Sequence, residues 1–188
     1  MVNRLKEGVR YIAIASGPIG KGATTLLIGV IFRDNYIEGL LSTKIRADGA
    51  DSTDKIIKMI RRSRFRAEVR ILLLNGIALA GLNIINPQEL EKRLRVKVVL
   101  LNRRRQNASE LVNALNEFSR ATKTNVMERI AIVEESRKMN TLTTNGLSLQ
   151  SSLDGSYLKK FAKSAFEALR VAHIIARGIS TGESKGRL

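Results

Sequence analysis

The sequence predicts an α/β protein built on one mixed sheet, in which a three-stranded antiparallel meander joins parallel strands with flanking helices. Three observations predict it. Residues 10–15, 24–33 and 36–46 are apolar, β-rich segments separated by short turns, the pattern of a meander. Residues 69–74 (VRILLL) and 96–101 (VKVVLL) are short, nearly continuous apolar runs, which mark strands buried on both faces. Between and after them lie segments with apolar residues at helical spacing, which supply the crossovers. A length of 188 residues with 44% hydrophobic content suits a soluble domain with a sizeable core. No internal repeat or linker divides the chain, so residues 1–188 read as a single domain.

Each element has a local reason. Residues 10–15 alternate until Ser16-Gly17-Pro18 breaks the strand, and Gly20-Lys21-Gly22 extends the turn. Residues 24–33, rich in β-branched side chains, give a second strand, Asp34-Asn35 a turn, and residues 36–46 a third strand. The polar loop 47–53 (ADGADST) offers Ser52 or Thr53 as cap for a helix whose apolar face is Ile56, Ile57, Met59 and Ile60. Arg61, Arg62, Arg64 and Arg66 crowd its end. Cations suit a helix C-terminus, and the crowding also offers phosphate contact; both readings stand. The strand 69–74 stops at Asn75-Gly76, where open α/β sheets place their ligands, and a second apolar run, 77–82, leads into Asn83.

Asn86-Pro87 starts a helix as N-cap and first residue, continuing through Leu90 and Leu94. The strand 96–101 ends in Asn102-Arg103-Arg104-Arg105, which reads either as the lining of an anionic cleft or as an exposed basic loop. Residues 107–120 form a helix with Leu111, Ala114, Leu115 and Phe118 at helical spacing and Asn107 or Ser109 as cap. Residues 127–134 read equally as strand or helix, and 142–152 as polar and irregular with a strand at 147–150. A long helix over 157–177 carries Phe161, Ala165, Leu169, Ala172 and Ile175 on one stripe, with Gly178 as its stop and 178–188 as a mobile basic tail. The order β-β-β-α-β-α-β-α is, by fold analogy, that of RNase H-like proteins.

Charge narrows the function. Lys+Arg 33 against Asp+Glu 17 leaves a formal +16, the footprint of a nucleic-acid binder. Aromatics make up only 4% and Trp is absent, so base stacking is poorly served and phosphate contact must dominate. Without Cys there is no disulfide, thiolate nucleophile or Cys-ligated metal. No apolar run approaches the ~18 residues of a membrane span. The charged N-terminus lacks a signal peptide's apolar core, so a cytoplasmic, non-membrane protein is expected.

The motifs are few. Residues 17–25 (GPIGKGATT) imitate a P-loop, but Gly22 follows Lys21 where Ser or Thr is required, and the next segment favours strand over helix. Asp48 and Asp51 are the acids of one loop that can face one cation, though a loop-and-cap role is preferred for them. His173, the only histidine, lies one helical turn from Arg170 and Arg177, which disfavour its charged form. Packing is the default for a lone helical His; polyanion contact is the functional alternative. No Ser/His/Asp arrangement is recognisable.

Several strings together carry a resemblance. Asp48-Gly49-Ala50-Asp51-Ser52-Thr53, then Gly76-Ile77-Ala78 with Gly81-Leu82-Asn83, then residues 170–178 (RVAHIIARG) and 182–187 (GESKGR) stand in the order of the archaeal endonuclease dU family. The chain resembles a divergent member of that family, which is related to endonuclease V and has an RNase H-like fold. The resemblance implies Mg²⁺-dependent cleavage of DNA near deaminated bases such as deoxyuridine or inosine. It also implies acids that this chain lacks. The family's first strand ends Ile-Asp-Asp-Gly and here reads Ile14-Ala15-Ser16-Gly17. Its Leu-Asp-Gly is Leu74-Asn75-Gly76, and its Asp after Gly-Phe-Asn is Asn86. Asp48 and Asp51 remain as the catalytic and metal candidates. Uncharged groups at Ala15, Ser16 and Asn75 give a divalent ion little to bind.

The expectation is a catalytically degenerate nucleic-acid-binding protein, DNA being favoured over RNA, without a cofactor. Arg61, Arg62, Arg64, Arg103, Arg104, Arg105 and His173 are its expected contacts. One alternative is an active endonuclease that holds Mg²⁺ weakly through Asp48, Asp51 and an unrecognised third ligand. Another is a non-catalytic subunit of a larger assembly, its basic surface meeting an acidic protein.

Overall fold

The structure, a computed structural model, describes residues 8–20, 22–103 and 107–184. The strands are β1 (Arg10–Ser16), β2 (Thr24–Arg33), β3 (Tyr36–Arg46), β4 (Val69–Leu74), β5 (Ala78–Leu79), β6 (Asn83–Ile84), β7 (Lys97–Asn102), β8 (Thr141–Thr144) and β9 (Leu147–Ser151). The helices are α1 (Ser52–Arg61), α2 (Pro87–Leu94), α3 (Ala108–Thr122), α4 (Met127–Ser136) and α5 (Gly155–Thr181), and a 3-10 turn, Arg64–Ala67, precedes β4. Among the described residues no helix is long and apolar enough to cross a membrane.

Among the described residues, seven strands form one sheet in the order β3-β2-β1-β4-β7-β9-β8. The meander is antiparallel, β1 pairs β4 and β4 pairs β7 in parallel, and β9 returns antiparallel to β7. This is the mixed RNase H-like sheet that the sequence predicts. Parallel pairing sets the ends of β1 and β4 side by side, with Ile14 opposite Leu74, so Ala15 and Asn75 emerge together at one pole.

Alternation assigns the two faces. Ile12 and Ile14 of β1 join Ile56, Ile57 and Ile60 of α1, Leu72 and Leu74 of β4, and Leu90 of α2 on one side. Tyr11, Ala13 and Ala15 point the other way, with Ile71 and Leu73, onto α5. There α5 presents Ala162, Ala165, Ala168, Ala172 and Ala176, so helix and sheet approach closely. Gly17 completes this contact: a Cβ on it would stand 2.5 Å from Ser180 Oγ and 3.3 Å from the Ala176 carbonyl.

Several expectations are revised. Ser52 and Thr53 do not cap α1. Asp51 occupies the N-cap without a capping bond, and Ser52 is a buried helical residue whose hydroxyl donates to the Ile84 carbonyl (3.2 Å). Residues 127–134 belong to a helix, α4. Segment 142–152 is not irregular but most of a hairpin, turning at Asn145 (φ 51°) and Gly146 (φ 71°). Asn-Gly is the strongest short hairpin signal, masked here because β8 is an edge strand with half its side chains in water. Gly178 does not end α5. Ala176 and Ser180 still pack on Gly17, so the helix continues to Thr181 and stops at Gly182 (φ 81°), whose N–H donates to the Gly178 carbonyl (2.9 Å). The expected tail thus loses residues 178–181 to helix, and residues 185–188 lie outside the described ones.

Candidate functional site

At the C-terminal ends of β1 and β4 lies a cavity of about 280 Å³, whose polar lining includes Ser16, Asn75, His173 and Arg177. Each residue arrives from a different constraint. Ser16 ends β1, and its Oγ accepts from the Ala80 N–H (3.4 Å), tying the strand to the β5–β6 hairpin. Asn75 follows the last residue of β4 and is exposed. His173 and Arg177 are one turn apart on α5, which reaches this pole by lying across β1 and β2. The wall opposite is the hairpin, through Ala78, Leu79, Ala80 and Gly81.

Burial, and secondarily the Arg177 guanidinium, lower the His173 pKa below its usual value, so its imidazole is neutral at pH 7. Arg170 is not a cause. It forms a forked pair with Glu167, with Nε–Oε2 at 2.8 Å and Nη2–Oε1 at 2.5 Å. The sequence reading therefore keeps one of its two cationic neighbours. It missed Arg177 as a site residue, although the i, i+4 spacing from His173 carried the signal.

Asp48 and Asp51 lie beside the hairpin and outside the cavity lining. Asp48 adopts φ 52°; its N–H donates to the Ala80 carbonyl (2.9 Å) and its Oδ1 accepts from the Leu82 N–H (2.8 Å). Gly81, at φ 84°, lies so close to that carboxylate that a Cβ would overlap Oδ1. The Asp48 carbonyl accepts from Arg129 Nη1 (2.8 Å), a buried guanidinium that also reaches the Leu82 carbonyl (3.2 Å). Asp51 Oδ1 accepts from the Arg46 N–H (3.1 Å) and from Asn83 Nδ2 (2.8 Å). Asn83, fully buried, also donates to the Arg46 carbonyl (2.8 Å) and accepts from the Ser52 N–H (3.1 Å). Both acids thus fasten loop 47–51 to the hairpin. Asn86 caps α2, its Oδ1 accepting from the Glu89 N–H (3.0 Å).

The donor set can be compared with the needs of Mg²⁺. That ion wants several oxygens, anionic ones foremost, in octahedral geometry. The cavity supplies a hydroxyl and an amide beside a guanidinium, and the two nearby carboxylates are turned to protein N–H donors. Among the described residues no group of three or more His, Cys, Asp or Glu is placed to hold a metal ion. The set does not fit Mg²⁺; its donors match an anion.

The predicted arginine contacts divide between two poles. Arg103 follows β7 at the cavity's pole, and its guanidinium lies over Phe166 of α5 (5.3 Å), two turns before His173. Arg61, Arg62 and Arg64 lie at the opposite pole, where the end of α1 and the 3-10 turn lead into β4. There Arg61 Nη2 donates to the Arg93 carbonyl (2.9 Å) and Arg64 covers Phe65 (4.8 Å). Arg104 and Arg105 lie outside the described residues, as does Lys21. The near-P-loop joins two strands, so no helix N-terminus follows it.

Comparisons with known proteins agree with this architecture. The sequence model of the endonuclease dU family matches residues 7–180. A UPF0215 protein of Methanothermobacter thermautotrophicus is 30% identical over 190 residues, covering 97% of this chain and 93% of that protein. The crystal structure of an Archaeoglobus fulgidus protein of unknown function superposes with a TM-score of 0.75 at 29% identity, covering 91% of this chain and 98% of the other. Human ENDOV matches with a TM-score of 0.51 at 10% identity, over 89% of this chain and 82% of its own, a likeness of fold alone.

Proposed function

The chain belongs to the endonuclease dU family, and on that premise we propose that it binds nucleic acid, DNA in preference to RNA, through a cleft that has exchanged hydrolysis for anion binding. One observation carries the reading: the cavity between the ends of β1 and β4 is lined by Ser16, Asn75, His173 and Arg177 and, among the described residues, by no carboxylate. An amide N–H, a hydroxyl and a guanidinium are phosphate donors, and a neutral imidazole becomes one by taking a proton. The carboxylates that bring a divalent ion to such a strand end also repel phosphate; without them a phosphate can approach Asn75 directly. The formal charge of +16 raises the local concentration of any polyanion.

The test is binding and cleavage of oligonucleotides containing deoxyuridine or inosine, in EDTA and in Mg²⁺ or Mn²⁺. Affinity is expected not to rise when the metal is added, to fall steeply with salt, and to be accompanied by no cleavage. Arg177→Glu should weaken binding at least tenfold, in line with the roughly 1.5–3 kcal/mol of a hydrogen bond to a charged group. Metal-dependent cleavage abolished by Asp48→Ala or Asp51→Ala would instead establish the active endonuclease. A nuclease-resistant acidic protein partner, with negligible affinity for DNA and RNA at low salt, would establish the assembly subunit.

A further inference from the structure

We propose that the pole opposite the cleft is a second nucleic-acid-binding surface, so that one chain engages two separate duplex segments. The inference rests on the reading that the chain binds nucleic acid, and adds where and how many. The chain returns to this pole repeatedly: at the end of α1 and its 3-10 turn, at the start of β4, at the end of α2 and at the start of β7. The register fixes their adjacency, since Ile71 of β4 pairs with Lys97 of β7, and the bond from Arg61 to the Arg93 carbonyl joins the ends of α1 and α2. Arg70, Lys92, Arg95 and Lys97 line one shallow depression of about 590 Å³, with Arg62 and Arg66 exposed on the adjoining segment.

Helix termini do not account for this charge. The last turns of α1 and α2 already hold Lys58, Arg61, Lys92 and Arg93. Arg62 and Arg95 are the C-cap residues of the same helices, and Arg66, Arg70 and Lys97 lie beyond the ends of α1 and α2. The nearby acids are committed elsewhere. Glu68 pairs with Arg10 (2.8 Å), Asp54 and Glu89 pair with Arg93 (2.9 and 2.7 Å), and Glu91 accepts from the Val98 N–H and the Ser152 hydroxyl (both 3.0 Å). Glu91 lines the same depression and keeps its charge, but Arg70, Lys92, Arg95 and Lys97 outnumber it there. Arg70 donates to the Ala67 carbonyl (2.7 Å) and Lys97 Nζ to the Ser152 hydroxyl (3.0 Å), neutral acceptors that leave the cationic charge in place.

The chemistry favours a phosphate backbone over an acidic protein or a lipid surface. Both of those bury apolar side chains at the centre of the contact. None of the exposed large apolar residues, Ile19, Tyr36, Ile37, Leu40, Met127 and Ile179, belongs to segments 61–70 or 92–97. The apolar residues of the depression, Val96 and Leu153, are only 5% and 4% exposed, so Arg and Lys supply most of its reachable surface, which suits sequence-independent phosphate contact.

The experiment titrates the full chain at low salt with two short duplexes of unrelated sequence carrying donor and acceptor dyes. Stoichiometry is read by sedimentation and bridging by energy transfer. Two duplexes per chain with energy transfer are expected. Arg66→Glu/Lys92→Glu/Arg95→Glu should reduce the ratio to one, remove the energy transfer and weaken the second binding step at least tenfold. If that variant fails to fold by circular dichroism, Arg66→Gln/Arg95→Gln should weaken the same step at least threefold. One duplex per chain in the wild-type protein overturns the proposal, as does a charge-reversed or neutralised variant that binds as the wild type does. So does capture of polyglutamate or anionic vesicles in preference to duplex. Arg177→Glu separates the two readings: it should weaken one binding step and leave unchanged the step that depends on Arg66, Lys92 and Arg95. No change in either step tells against the cleft, and loss of both tells against this pole as a separate surface.

Discussion

His173 and Arg177 show how much a single pair of residues can report. The imidazole pKa is lowered by burial first and by the Arg177 guanidinium second. Replacing Arg177 by Gln should raise the His173 midpoint in an NMR titration, but only part of the way to the ordinary value of about 6.5, because burial remains. A midpoint that does not move would show that the guanidinium does not act on the ring. The sign for stability follows. With its folded pKa lowered, the ring favours the fold while neutral, and that contribution is lost as the pH falls below about 6.5, where the unfolded chain takes up the proton first. A bound phosphate reverses the preference, so affinity should rise over the same interval. Residue spacing made the His173–Arg177 pair legible. The release of Arg170 into its pair with Glu167 was equally local, at i−3, and went unread. Asp48 and Asp51 were legible as loop acids, but the N–H groups that hold them come from Leu82, 34 residues away, and from Arg46.

At the scale of elements, α5 matters most, since it delivers both residues to the cleft and rests on β1 through alanines. Gly17→Ala should push it away. The added Cβ would meet Ser180 Oγ at 2.5 Å, Thr25 Oγ1 at 3.2 Å and the Ala176 carbonyl at 3.3 Å. A loss of about 1–3 kcal/mol in urea unfolding is expected, with weaker nucleic-acid binding alongside it. Adding Ser180→Ala should restore only part, because the backbone carbonyl stays in place. If Gly17→Ala unfolds at the wild-type midpoint, the helix does not lie this close. Elements with local punctuation were readable: Asn86 caps α2, and the bounds of β2 and β3 match the apolar runs. The end of α5 was not, because Gly178 has a helical alternative once Ala176 and Ser180 are held by Gly17.

For the molecule as a whole, Tyr11 links distant parts. Its ring stacks on Phe32 of β2 (5.3 Å) and meets Phe161 of α5 edge-on (5.0 Å), and its hydroxyl donates to the Asp34 carbonyl (2.6 Å). Burial, with a smaller contribution from Asp34, pushes its pKa up to about 12. The unfolded chain ionises near pH 10 while the folded one holds its proton, so stability should decline from about pH 10 upward and lose about 2–3 kcal/mol by the folded value. Tyr157, raised by burial, acts in the same direction. Tyr11→Phe should flatten this alkaline slope in urea titrations, at the cost of about 1 kcal/mol at neutral pH for the lost hydrogen bond. An unchanged slope would exclude Tyr11 as its source.

The sequence by itself determined the strand order of the meander, the two buried strands, the net charge and the uncharged residues Ala15, Ser16 and Asn75 at the strand ends. All of these are properties of one residue or one short period along the chain. The tertiary structure alone decided that Asn75, His173 and Arg177 line one cavity, that the loop acids fasten a hairpin, and that the arginines occupy two poles. Those facts depend on which strands pair in parallel and on where α5 crosses them. Such pairings join residues far apart in sequence, and a local pattern carries no record of that distance.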